Sequence, residues 1–199
     1  MTQLEYENRN LQGFEGDSFM KAKFEQIIND YKINLVIECG SYHGGTTMQL
    51  AKMCDGVIGI EINDTFFDIT RKNTEELFNV TLYNDDTLHA LPRIFCQPEV
   101  LASNILIFID SHWYNLPLIK ELELIKKAGI KPCIAIHDFF VPHNDELGYD
   151  SYGNKTICWE LIEDSIKDIY GDEGFSIEYN SNSTANGAKR GVIYIFPKV

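Results

Sequence analysis

The chain has 199 residues, 44% hydrophobic and 24% charged, with a formal net charge of -13. That length suits one domain with a full core, and no repeat, low-complexity tract or Pro- or Ser-rich stretch divides it. So large an acidic surplus repels a phosphate backbone, and the basic pairs Arg71-Lys72, Lys126-Lys127 and Lys189-Arg190 read as solvated helix faces or loop tips, so no nucleic-acid partner is expected.

The five cysteines, Cys39, Cys54, Cys96, Cys133 and Cys158, are odd in number and lack zinc or disulfide spacing, which suits reduced thiols. The first residues carry no basic and apolar leader, and no segment approaches membrane-spanning length. A cytoplasmic protein with no membrane partner is the expectation. Residues 1–16 are polar and acidic and are expected to be loosely ordered.

From Asp17 to Tyr31 the residues Phe19, Phe24, Ile27 and Ile28 recur at helical spacing. Leu35, Val36 and Ile37 then form the short apolar run of a strand buried on both faces, as in a parallel sheet. Gly40, Gly44 and Gly45 allow a sharp turn that brings backbone close to a ligand, and a helix opens at Gly45 or Thr46. A second buried strand ends on Glu61, about twenty residues past the turn, where a carboxylate accepts ribose hydroxyls at the carboxyl edge of a sheet. The plain alternative is a glycine turn that only joins strand to helix.

Asp64 is placed as the N-cap of a helix running to about Phe78, followed by a strand from Val80 to Tyr83. Asp86 or Thr87 either caps the helix starting near Leu88 or faces a ligand, and the two roles are compatible. Pro92 and Pro98 bracket a short irregular helix. Asn104 to Asp110 reads as an apolar strand with a carboxylate at its carboxyl end, where ligands collect in open α/β sheets. A helix from Leu116 to Ala128 stops at Gly129. The strand Cys133 to Ile136 ends in His137-Asp138-Phe139, so Asp110 and Asp138 reach the same edge.

The connection from Phe140 to Asn154 is long enough to be a substrate lid, with a surface excursion as the rival reading. A helix from Lys155 to Tyr170, a strand from Phe175 to Tyr179, a polar loop and a last strand from Gly191 to Phe196 complete the chain. His112 and His137 are candidate general bases, because an imidazole titrates near neutral pH. For His137 a simple hydrogen bond at a strand end is the competing role.

The pattern Glu38-x-Gly40-x-x-x-Gly44, with Glu61 beyond it and Asp110-Ser111-His112-Trp113 after the fourth strand, resembles class I S-adenosylmethionine (SAM) methyltransferases. Among these it is most similar to small O-methyltransferases of the catechol type and the sugar and macrolide families. The resemblance implies an α/β fold: a Rossmann-like three-layer sandwich around a seven-stranded, mostly parallel sheet whose last strand is antiparallel. It implies one domain over residues 1–199, with residues 1–31 forming a tail and a helix that covers the cofactor, while simple sheet packing is the competing and favoured role of that helix. It implies SAM held by Glu38, Gly40, Tyr42, Gly44, Thr46, Glu61, Asp86, Thr87 and Asp110.

The same resemblance implies Asp110, His112 and Asp138 as catalytic residues, and magnesium between Asp110 and Asp138 as an optional cofactor. The acceptor is then a small hydroxylated molecule, a sugar, phenol or polyketide-like metabolite, and a homo-oligomer is compatible with the chain. Two positions depart from the catechol pattern. Phe139 stands where a third metal ligand is expected, with His112 or Asp145 as substitutes, and Tyr114-Asn115 replace a lysine. An NAD-dependent oxidoreductase is a second reading, because Glu61 suits any adenosine ribose, but the glycine spacing is not G-x-G-x-x-G. A silent SAM-binding scaffold is a third.

Overall fold

The computed structural model describes residues 11–112 and 115–198, so the expectations that fall on residues 1–10, Trp113 and Tyr114 lie outside the described residues. Helix α1 (Ser18–Asp30) leads into β1 (Leu35–Cys39), and α2 (Gly45–Leu50) joins it to β2 (Gly56–Glu61). Then come α3 (Asp64–Asn73), β3 (Val80–Asn84), α4 (Thr87–Ile94), α5 (Pro98–Leu101) and β4 (Ile105–Ile109). Helix α6 (Leu118–Ala128), β5 (Cys133–Ile136), a small hairpin of β6 (Ser151–Tyr152) and β7 (Lys155–Thr156), α7 (Trp159–Tyr170), β8 (Phe175–Tyr179) and β9 (Ile193–Pro197) follow.

Seven strands form one sheet in the order β3-β2-β1-β4-β5-β9-β8. The first five are parallel, and β9 runs antiparallel to both β5 and β8. This is the expected Rossmann-like sandwich. Alternation along the strands sends side chains to two cores. Ile37, Ile58, Ile107 and Ile134 pack with Leu91 of α4, Leu122 of α6 and Ile166 of α7. Val36, Val57, Leu106 and Ala135 pack with Phe24 and Ile27 of α1.

Helix α1 is therefore a sheet-packing helix. The Phe24 ring lies 5.2 Å from Phe108 and 5.0 Å from Phe14, edge-on or tilted as aromatic pairs prefer. No residue of α1 lines the cavity described below.

Several element boundaries differ from the sequence expectations. Residues 11–16 are built into the body: Phe14 is buried, opens a short 3-10 turn to Gly16, and donates its N–H to Thr46 Oγ1 at 2.8 Å. Asn63, not Asp64, caps α3, its side chain accepting from the Phe66 N–H, and the helix ends at Asn73 because Thr74 closes the last turn through its hydroxyl on the Thr70 carbonyl. Pro92 sits inside α4, which ends two residues later. Pro117 delays the start of α6 to Leu118. Lys155–Thr156 pair with Ser151–Tyr152 around Gly153, which has φ +64°, so that the hairpin takes the residues expected to open α7.

Gly40 follows β1 with φ +96°, and a Cβ there would stand 2.4 Å from the Asp110 carbonyl oxygen. Glycine is required at this point by the approach of one chain segment to another. Gly40→Ala is expected to cost about 3 kcal/mol or more, lowering the thermal midpoint by roughly 6–12 °C. Gly129→Ala, left-handed at the end of α6 but with open space around it, is expected to cost only about 1 kcal/mol. Melting curves of the two variants that coincide would contradict this.

Candidate active site

Parallel pairing brings the carboxyl ends of β1, β2, β4 and β5 to one edge, and a cavity of about 690 Å³ opens there, within the range of small-molecule sites. Glu38, Glu61, Asp110 and Asp138 all line it. Four of the acids singled out in the sequence thus share one space.

Glu61 is fixed by backbone. Its Oε2 accepts the Tyr42 N–H and its Oε1 the Asn63 N–H, each at 2.8 Å. A carboxylate offers about four acceptor sites, so both oxygens retain capacity for a ligand's hydroxyls. Burial raises the Glu61 pKa, and these N–H groups work against that rise. Glu38 lies deeper, at 1% exposure, and accepts the Thr47 hydroxyl. Burial pushes its pKa up to about 8, with the Thr47 bond opposing.

Tyr42 holds a left-handed φ of +50°, stacks on His43 at 3.9 Å and meets the Phe66 ring edge-on, so this side of the cavity is aromatic. Gly40 and Thr46 also line the cavity, but the Thr46 hydroxyl accepts from Phe14 and so ties the N-terminal segment across the opening of α2. Gly44 does not line it. Left-handed at the start of α2, Gly44 faces Thr70, whose methyl would lie 3.0 Å from an added Cβ. Asp86 caps α4 by accepting from the Leu88 N–H at 2.8 Å, and with Thr87 it borders the cavity.

At the other end Asp110, His112 and Asp138 bring one potential ligand atom each to within 4.8 Å of the others. His112 Nε2 is 3.6 Å from Asp138 Oδ2, and His137 Nδ1 is 3.2 Å from Asp110 Oδ1. His137 thus has its strand-end hydrogen bond, made to a site carboxylate. Burial works to lower the His137 pKa, but Asp110 and Asp138 outweigh it and hold it well above the ordinary value. Asp138 takes a left-handed φ of +54°, uncommon away from glycine and typical of constrained sites. Although burial opposes it, His112, His137 and Arg190 together keep Asp138 below the usual carboxylate range.

Glu15 lines the cavity and sequence reasoning missed it, as it did Arg190. Arg190 is no solvated loop tip: its Nε lies 2.9 Å from Asp138 Oδ1 and its Nη2 3.0 Å from Asp150 Oδ1. Asp150 and Tyr152 come from the long connection, where Asp150 donates its N–H to the Asp138 carbonyl and Tyr152 donates its hydroxyl to the His112 carbonyl. The connection is thereby pinned to the site as a wall. Asp145 does not line the cavity, and Phe139 is wholly buried, its ring 6.1 Å from Tyr179. The side chain in the expected third-ligand position therefore belongs to the core.

Because Glu38 holds its proton to about pH 8 when folded, but only to about 4.3 when unfolded, its contribution to stability is complete below the unfolded value. It is lost as pH rises through the folded one. Glu38→Gln keeps a neutral side chain at every pH. The thermal midpoint of the variant is expected to gain on the parent between pH 5 and 8, and a difference independent of pH would contradict the assignment.

No family model matches the chain. By sequence it is 31% identical over 123 residues to a ribosomal RNA small subunit methyltransferase A of Caldanaerobacter subterraneus subsp. tengcongensis, a match covering 60% of this chain and 46% of that protein. A protein of the same name from Coxiella burnetii is 28% identical over 88 residues, 44% of this chain and 34% of its own. The chain thus spans less than half the length of these relatives. By structure it is similar to an O-methyltransferase from Bacillus cereus in complex with SAH, with a TM-score of 0.63 and 19% identity over 91% of this chain and 81% of that one. It is similar also to the O-methyltransferase TomG of Streptomyces achromogenes, involved in tomaymycin synthesis and in complex with SAM, with a TM-score of 0.63 and 12% identity over 90% and 80% of the two chains. The fold of this chain is that of the class I SAM-dependent methyltransferases, and it resembles among them the small O-methyltransferases.

Proposed function

We propose that the chain is a SAM-dependent methyltransferase that transfers a methyl group to a hydroxyl of a small molecule, a sugar, phenol or polyketide-like metabolite. The observation that carries this reading is a single cavity with an oriented carboxylate, Glu61, near one end and the Asp110-His112-Asp138 cluster at the other. When bound, SAM supplies an electrophilic methyl on sulfur, so that an acceptor oxygen forms the new C–O bond as the C–S bond breaks and the hydroxyl proton leaves. Glu61 binds the ribose hydroxyls, and the aromatic wall of Tyr42 and Phe66 packs the adenosyl end.

The residues also fit a divalent cation, because two carboxylates converge and a buried imidazole faces one of them. Asp110 and Asp138 would hold it, and it would acidify the acceptor hydroxyl. Phe139 takes no part. His137 enters as a cation that donates to Asp110 and so orients that carboxylate; without a metal Asp110 is the group placed to receive the proton, and with one bound the proton of the acidified hydroxyl would pass to solvent. Arg190, Asp150 and Tyr152 close the acceptor side.

A second reading, methylation of RNA, has one observation in its favour, the sequence likeness to two ribosomal RNA methyltransferases. The net charge of -13 speaks against it. Calorimetry is expected to show micromolar SAM binding that Glu61→Ala weakens about tenfold or more, which is about 1.4 kcal/mol. Labelled SAM is expected to mark hydroxylated small molecules and not RNA. No binding of SAM or its demethylated product would end the proposal, and NADH raising the melting midpoint where SAM does not would favour the oxidoreductase.

A further inference from the structure

His112 is the least satisfied polar side chain at the site. Its side chain has no exposure, and neither ring nitrogen has a hydrogen-bond partner among the described residues. A buried polar group left unpaired costs about 1–3 kcal/mol, so a fold that retains one is normally completed by something else. The 3.6 Å between His112 Nε2 and Asp138 Oδ2 is too long for a hydrogen bond. It is close to the roughly 3.4 Å that separates two ligands each about 2.1 Å from a single tetrahedral ion.

We propose that Asp110, His112 and Asp138 form a three-residue site for a first-row transition cation, Co²⁺ or Zn²⁺, in preference to magnesium. This rests on the reading of Asp110 and Asp138 as metal ligands made above. It goes further in giving the ligand position left open by Phe139 to an imidazole from a different strand end. Magnesium takes oxygen ligands and keeps its waters, whereas imidazole suits the transition series and binds it more strongly along the row.

The surroundings favour the same class. Arg190 approaches Asp138 Oδ1 at 2.9 Å, Oδ2 lies 3.6 Å from both His112 Nε2 and His137 Nδ1, and His137 holds Asp110 by its Oδ1. These contacts orient the ligands as neighbours of metal sites commonly do. The permanent positive charge of Arg190 beside the site repels any divalent ion equally. An ion that gains a nitrogen bond offsets that repulsion better than one held by charge alone.

The test is titration of the full chain, stripped with a chelator, with Co²⁺, Zn²⁺ and Mg²⁺, following heat by calorimetry and cobalt by visible absorption. The expected result is one equivalent of Co²⁺ or Zn²⁺ bound at least tenfold more tightly than Mg²⁺, with a visible cobalt spectrum lacking sulfur charge-transfer bands. His112→Gln, checked for folding by its melting curve, is expected to abolish the preference. The parent chain alone suffices if the variant does not fold. Mg²⁺ binding as tightly as Co²⁺, no transition-ion binding at millimolar concentration, a thiolate spectrum, or an unchanged preference in folded His112→Gln would each overturn the proposal. SAM affinity measured on the same preparation separates the failures: metal binding without SAM binding removes the methyltransferase reading and leaves the site, and the reverse removes only the site.

Discussion

Eight acidic residues line the cavity at the carboxyl edge of this sheet, and the balancing of charge at four of them, Glu38, Glu61, Asp110 and Asp138, is the constraint on which the site depends. Two like charges about 4 Å apart near a protein surface repel by about 4 kcal/mol, so several uncompensated acids in one cavity would consume much of a domain's usual stability of about 5–15 kcal/mol. Each acid is treated differently. Glu38 is buried and keeps its proton to about pH 8, Glu61 accepts two backbone N–H groups, Asp110 is paired with His137, and Asp138 with Arg190. The outcome is a polarised cavity, with hydrogen-bond acceptors near the glycine turn and a mixed acid and imidazole cluster at the other end.

That balance recruits distant parts of the chain. Arg190 arrives just before the antiparallel strand β9, and the segment carrying it is locked by exchanged backbone bonds between Gly148 and Lys189 and between Gly191 and Gly148. The connection it is bonded to through Gly148 carries Asp150 and the hairpin, so the wall of the acceptor side and the counter-charge of Asp138 are one construction. The N-terminal segment also reaches the cavity, where Glu15 feels the charges of His137, Asp110, Asp138 and Arg190, and it crosses the start of α2: Phe14 bonds Thr46, and Gly13 lies so close to the Gly45 carbonyl that a Cβ would stand 2.7 Å from it.

Much of the architecture was legible because the strands are short apolar runs and the ligand edge of a parallel sheet is set by strand direction. Asp110 and Asp138 could be placed together on that ground alone. Element ends were less legible, since they hang on single side chains: Asn63 in place of Asp64 as a cap, the Thr74 hydroxyl stopping α3, and a two-residue hairpin replacing the first turn of α7. Arg190 was invisible for a different reason. In sequence it is one half of a basic pair in a polar loop, and only the return of β9 beside β5 brings it within reach of Asp138. Gly44 was read as approaching a ligand, yet its freedom is used against Thr70, a contact between elements that no local pattern announces.

The central claim is that one cavity holds an adenosyl group at Glu61 and directs its sulfur towards Asp110. A crystal structure of the chain with S-adenosylhomocysteine tests it most directly. The account predicts both ribose hydroxyls on the Glu61 carboxylate, the adenine beside Asp86, and the sulfur facing the Asp110-His112-Asp138 cluster. Ligand bound elsewhere, or ribose hydroxyls turned away from Glu61, would contradict it.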